Sequence, residues 1–369
     1  MKQVIMCGVD MHDNNLVCRI GVGPGAATTH RVRNTEAGRR RLFKRLKQMG
    51  TSAGCGRMVL AYEASSQGFG LYDDCRDAGI ACFILAPTKM RKSGEDRKKK
   101  NDEHDAELLL EVLRGHVLAG NGLPSIWIPD DTTRADRETV RARLDVGHKV
   151  TGVKAQVQML LKRHRIRKPA ETGDSWSVPH RRWLAGLAAS GDGWVVLATL
   201  LRQLAALETE VAVLDGAVEA LSRTPRYAAT ASALVNELVG VGLLTAMVFL
   251  TEMGDLSRFQ NRRQVGAYLG LVPSSHDSGE SDRKGHITRA GSSRVRRVLC
   301  QATWSRVKHD PTEVVTYQRL VARNPKHKKI AVVAVMRRLG IAMWHVGLAV
   351  QQQAGVFPAG EAGRRDAAG

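Results

Sequence analysis

Four carboxylates, Asp10, Glu63, Asp102 and Asp105, stand where metal-dependent phosphoryl-transfer chemistry would need them: two at the ends of apolar runs, two one helical turn apart. Clustered acids in a chain this basic point to bound cations rather than to mutual repulsion. Mg²⁺ takes hard oxygen ligands, and two such ions roughly 3.5 to 4 Å apart clamp the attacking and leaving oxygens of a phosphoryl transfer. Plainer readings exist for each acid. An acid after a strand suits a turn, as Asp13 does in His12-Asp13-Asn14-Asn15, and Asp102 with Asp105 could be an N-cap and its partner in the first helical turn. Lys98, Lys99 and Lys100 sit poorly before a helix start, so they meet either solvent or phosphate.

The elements that would carry these acids can be read from the pattern. Val4 to Val9 is an unbroken apolar run, read as a buried strand with Asp10 at its end, and Met58 to Tyr62 is a second, closed by Glu63. Leu16 to Val22 and Thr28 to Val32 read as hairpin partners of the first strand, followed by a helix from Thr35 to Met49. The Met58 strand, a helix from Gly68 to Ala78 and a strand from Ala81 to Leu85 make a βαβ unit. Three strands of meander followed by crossovers is the order of a ribonuclease H-like fold, in which strand ends form the cleft. Leu108, Leu109, Val112 and Leu113 repeat at helical spacing, so a helix starting near Asn101 projects Asp102 and Asp105 from one face.

At 369 residues the chain exceeds one ordinary core, and a formal net charge of +20 with a pI near 10.1 makes a polyanion the expected partner. Anionic membrane is the competing surface. No stretch is read as approaching the roughly 20 apolar residues of a membrane span, and the N-terminus lacks the order of a signal peptide. The expectation is a cytoplasmic, nucleoid-associated protein. Cys7, Cys18, Cys55, Cys75, Cys82 and Cys300 form no CxxC pair and read as reduced core residues rather than zinc ligands or disulfides.

After an α/β domain over 1–125, the pattern turns helical. Residues 126–225 read as a helical, coiled-coil-like arm, with long helices over Asp130 to Leu161 and Val195 to Leu221 and a loop at Lys168 to His180. Such an arm could dimerise the protein, bridge domains or lie along nucleic acid; a plain helical bundle fits as well. Residues 226–350 read as a mainly helical C-terminal domain, and 351–369 as a disordered tail. Gly240-Val241-Gly242 could bring backbone N–H groups to a phosphate or simply turn between helices. Pro273 to Asp282 reads as a loop bearing Ser274, Ser275, Ser278 and Ser281, followed by Arg283, Lys284, Arg289, Arg294, Arg296 and Arg297. Serines beside such a run could be a nucleophile beside phosphate clamps, or a solvated loop.

These segments together resemble the DEDD-type transposases of bacterial insertion sequences, in the insertion sequence 110 family. The N-terminal match is Gly8-Val9-Asp10, Tyr62-Glu63-Ala64-Ser65 and Asp102-Glu103-His104-Asp105-Ala106 with Leu109 behind it. The C-terminal match runs through Gly240-Val241-Gly242, Glu252-Met253-Gly254-Asp255, Arg258-Phe259 and Ala267-Tyr268-Leu269-Gly270-Leu271-Val272-Pro273. It continues through Ser278-Gly279, Gly285 to Gly291 and Arg296-Arg297 to Met336-Arg337-Arg338-Leu339. Two departures are Val239, where the family commonly has proline, and Asn101, where it often has threonine.

The resemblance implies a RuvC-like domain whose four acids bind Mg²⁺ and a transposase domain whose serine nucleophile matches Ser278. It further implies a composite site shared between protomers of a dimer or tetramer, acting on DNA at element ends and target, with a non-coding RNA of the element as guide. From the residues alone, Ser274, Ser275, Ser278 and Ser281 are equivalent candidates. A RuvC-like junction endonuclease would use the same acids to activate water and would need no serine. A binding protein without catalysis would explain the charge but leave the acids without purpose.

Overall fold

The computed structural model describes residues 3–90, 101–191, 194–278 and 281–354; the side chains of 275–284 and of 354 lie outside that description. Lys98, Lys99 and Lys100 and most of the tail expected at 351–369 fall outside it too. The chain divides into two compact units, Met1–Ile128 and Pro129–Gly369. Of the residues expected to form an arm, 126–128 belong to the first and 129–225 to the second.

In the first unit, β1 (Val4–Met11), β2 (Asn15–Val22) and β3 (Thr28–Arg33) form an antiparallel meander, and α1 (Glu36–Ser52) leads to β4 (Arg57–Glu63). The helix α2 (Gly70–Asp77) then carries the chain to β5 (Ala81–Leu85), and α3 (Asp102–Ala119) closes the unit. The sheet order is β3-β2-β1-β4-β5, with β4 parallel to both β1 and β5. β1 lies in the middle, which explains its unbroken apolar sequence: both faces are covered. Ile5, Cys7 and Val9 pack with Leu42 and Leu46 of α1 and Leu71 of α2, whereas Met6 packs with Val59, Leu109, Leu110 and Leu113 on the α3 side. All six cysteines are free, and Cys7, Cys18 and Cys75 are buried.

The second unit is mostly helical. Its elements are α4 (Asp131–Arg163), α5 (Val178–Ala189), α6 (Val195–Ser222), α7 (Ala228–Glu237), α8 (Leu243–Met253) and α9 (Arg262–Tyr268). A two-stranded ribbon of β6 (Pro273–Ser278) and β7 (Ser281–Ile287) follows, then α10 (Ser293–His309), α11 (Pro311–Arg323) and α12 (Lys328–Ala354). The helices α4 and α6 run antiparallel, since Arg143 meets Asp215 while Lys154, further along, meets Glu208, earlier in the chain. Val140 and Leu144 of α4 enter the core formed by α8, α10 and α12, while Val157 and Leu161 join Leu184 and Leu197 in a separate cluster.

Three expectations change here. The loop expected at Lys168 to His180 already contains the start of α5: Ser177 accepts from the His180 N–H, and Pro179 sits in the first turn, where proline favours a helix start. The loop expected at Pro273 to Asp282 pairs as β6 with β7; its residues are polar on both faces, so the strand leaves no alternating apolar signal. Finally, residues 325–353 are long and apolar enough to cross a membrane, contrary to the sequence reading. Half of its most apolar 18-residue window is buried in this unit: Val335, Leu339 and Met343 of α12 are buried, the last two in the core beside Phe249 and Leu299.

Candidate metal centre and nucleic-acid interface

Register places the first two acids. Val9 pairs with Tyr62, so Asp10 and Glu63 follow at the same ends of adjacent parallel strands. Side chains alternate across a strand, and Met6 and Gly8 face α3 along with Val59 and Ala61. Asp10 and Glu63 continue those two series and therefore share the α3 face.

Gly8 sets the approach of α3. A Cβ there would lie 2.3 Å from the Ala106 carbonyl oxygen and 2.4 Å from the Leu110 nitrogen, so the helix backbone rests directly on β1. Asp102 and Asp105 occupy the turn before Ala106, which carries them toward Asp10. The cap of α3 is Asn101, whose side chain accepts from the Glu103 N–H. The capping alternative is thereby filled by another residue, and neither aspartate serves as the cap. Arg19 with Glu107 and Arg31 with Glu103, the latter at 2.7 Å, pin the same helix to β2 and β3.

Ligand atoms of Asp10, His12 and Asp102 all lie within 4.8 Å of one another. His12 Nε2 is 3.0 Å from Asp10 and 3.5 Å from Asp102. Burial pushes the Asp10 carboxyl above the usual carboxylate range; the His12 ring opposes that, and the like charges of Asp105 and Asp102 add to it. Neither Asp10 nor Asp102 pairs with Arg or Lys among the described residues. Asp10, His12 and Asp102 thus form a group able to hold a divalent ion, whereas Asp105, one helical turn on, and Glu63, at the adjacent strand end, are not among the ligand atoms that converge there. His12 escaped the sequence reading, which treated it as part of a turn. Its signal was its place two residues after Asp10, just past the end of β1.

In the second unit, Ser278 is the last residue of β6 and pairs with Ser281, so the backbone puts it at the turn end of the ribbon. Arg283 and Lys284 lie on β7, their side chains outside the described part of the chain. Gly240, at φ 87°, faces α10: a Cβ there would meet the Ala302 carbonyl at 2.5 Å and the Arg306 nitrogen at 2.9 Å. Helix packing thus accounts for that glycine. Gly242 precedes α8 with open space at its Cα. Of the flagged arginines, Arg294 meets Asp145 at 3.0 Å, and Arg296 donates to the carbonyls of Leu269 and Gly291. Arg289 and Arg297 are exposed.

Known proteins share this arrangement of segments. Residues 7–166 match a DEDD-type, IS110 transposase family, and residues 232–318 match the transposase IS116/IS110/IS902 family. A protein of Sinorhizobium fredii named as transposase y4qE is 30% identical over 346 residues, covering 87% of this chain and 82% of that one. The transposase for insertion sequence element IS1533 of Leptospira borgpetersenii is 24% identical over 330 residues, covering 86% and 90%. The chain belongs to the IS110 family of insertion-sequence transposases.

Proposed function

We propose that this transposase cleaves and rejoins DNA strands through the Ser278 hydroxyl, with Mg²⁺ held by Asp10, Glu63, Asp102 and Asp105. The observation that carries the reading is the convergence of Asp10 and Asp102 on the face where Gly8 admits α3. The meander followed by parallel crossovers, with acids at the ends of β1 and β4, supports a ribonuclease H-like, RuvC-like unit. Mg²⁺ bound at these acids would supply positive charge for the transferring phosphoryl group and favour a deprotonated nucleophile. Glu103 and Glu107 hold α3 through their arginines, and the half-buried Asp10 is kept oriented by His12.

The Ser278 oxygen forms a bond to phosphorus as the strand oxygen leaves and takes a proton. The phosphoserine link retains the energy of the phosphodiester, so reversal by a second strand needs no ATP. Acids in one unit and serine in the other fit a composite site assembled between protomers, which would guard against stray cleavage. The net charge of +20 fits a long polyanionic partner: DNA at element ends and target, with a structured element-encoded RNA as guide, in the nucleoid-bearing cytoplasm.

The test is a denaturation-resistant protein–DNA adduct formed with Mg²⁺, element-end DNA and the element's RNA. The native chain should form it and Ser278→Ala should not, while Ser274→Ala and Ser281→Ala keep it. An adduct persisting in Ser278→Ala moves the role to a neighbouring serine. Cleavage without adduct in the native chain would replace this reading with a water-activating junction endonuclease.

A further inference from the structure

Within the second unit, α9, the base of the β6–β7 ribbon, α11 and the first half of α12 enclose a cavity of about 930 Å³. Its walls carry Arg262, Arg263, Arg289, Arg319, Lys329, Arg337 and Arg338, and no acidic side chain. Several other arginines of this unit do meet acids: Arg141 meets Glu252, Arg143 meets Asp215, Arg181 meets Glu208 and Arg306 meets Asp310. Arg338 meets Glu313 at 3.3 Å, and none of the other six cavity cations makes an ion pair with an acid among the described residues. Holding like charges together without counter-charge is unfavourable in the free protein, which marks the place where an anion supplies it.

The cations are also positioned. A Cβ on Gly266 would lie 2.9 Å from the Arg337 Nε, so that guanidinium rests on the α9 backbone, and the Nε is enclosed without a hydrogen-bond partner. Arg289 has φ 54°, a left-handed conformation unfavourable for a side-chain-bearing residue, and its Cα lies against Gly270. Between the cations runs an apolar wall of Leu320, Ile330, Val333 and Ile341, with Ile330 61% exposed.

Several cations around an apolar wall match a ligand that carries phosphates and flat apolar rings. Guanidinium groups suit it twice over, since they fork onto phosphate oxygens and stack on bases. The volume falls within the roughly 300–1,000 Å³ of small-ligand pockets, which admits unpaired nucleotides but not a duplex. We infer that the cavity binds an unpaired segment of a nucleic-acid strand, its phosphates on Arg319, Lys329 and their neighbours and a base against Ile330 and Val333. This rests on the nucleic-acid reading above and adds a site to it, remote in sequence from the four acids.

The test uses the full chain with labelled oligothymidine, its abasic counterpart, oligouridine and a blunt duplex. Arg319 and Lys329 are exposed, so the double variant Arg319→Gln, Lys329→Gln should keep the native melting temperature. It should weaken oligothymidine binding about tenfold and flatten its salt dependence by about 0.7 for each phosphate no longer neutralised, with duplex binding little changed. Ile330→Ala should weaken oligothymidine but leave the abasic strand unaffected. A stronger effect on oligothymidine or on oligouridine supports the cavity and tells whether DNA or RNA occupies it. Unchanged oligothymidine affinity in the double variant, or an equal loss on the duplex, would overturn the inference. A native chain that binds none of the four probes would instead sink the nucleic-acid reading itself.

Discussion

Charge is used in opposite ways in the two units. In the second unit, buried charge is tied up in structural contacts: Arg141 grips Glu252 through two nitrogens at 2.7 and 3.0 Å, and Arg137 donates to the carbonyls of Thr251 and Glu252 at the end of α8. In the first, α3 carries both kinds of acid side by side. Glu103 and Glu107 are matched by Arg31 and Arg19, while Asp102, one residue from Glu103, faces only the Asp10–His12 pair among the described residues. In a chain of net charge +20, a charged residue therefore signals function by the partner it lacks, not by its type.

The contrast breaks most severely at Gly8. Gly8→Val drives a side chain into the backbone of Ala106 and Leu110, where no rotamer change gives relief. It should cost about 3 kcal/mol or more and abolish metal-dependent cleavage, read from denaturant curves and a strand-nicking assay. Native stability in that variant would mean that α3 does not rest on β1.

A middle effect belongs to the paired charges. Arg141→Ala leaves Glu252, 7% exposed, without its cation and should cost roughly 2 kcal/mol in urea unfolding. Mn²⁺ binding by the first-unit acids should not change in the same protein. The smallest effect concerns Glu208, whose carboxyl is held below the usual range first by the hydrogen bonds from Arg181, with Lys154 adding to it. Because the folded value lies below the unfolded one, this contribution is present above about pH 4.5 and fades as pH falls below it. On a part-buried pair this accessible to solvent it amounts to roughly 1 kcal/mol or less. Arg181→Gln should lower the melting temperature slightly at pH 7 and not at pH 3.

Much of the first unit was legible because apolar runs and strand ends coincide: Asp10 falls at the end of β1 and Glu63 closes β4, as buried parallel strands require. His12 was not, since it lies in the turn after β1, where a histidine gives no sign of what it will meet. In the second unit, composition singled out Arg294 and Arg296, which the fold ties to Asp145 and to backbone carbonyls. It passed over Arg262, Arg319 and Lys329, which come together only when α9, α11 and α12 pack. A residue's partner is a tertiary fact, and sequence spacing beyond one helix or hairpin carries little of it. The ribbon at Ser278 escaped for a local reason: strands polar on both faces have no hydrophobic period to detect.

The neighbouring acids of α3 allow the most direct test. Mg²⁺-dependent strand cleavage should be compared in Asp102→Asn and Glu103→Gln, with melting temperatures measured on both. Asn101 retains the cap in each, so stability should fall by no more than about 1 kcal/mol. Asp102→Asn should lose cleavage while Glu103→Gln keeps it; full cleavage by a stably folded Asp102→Asn would contradict the assignment of these acids to the metal.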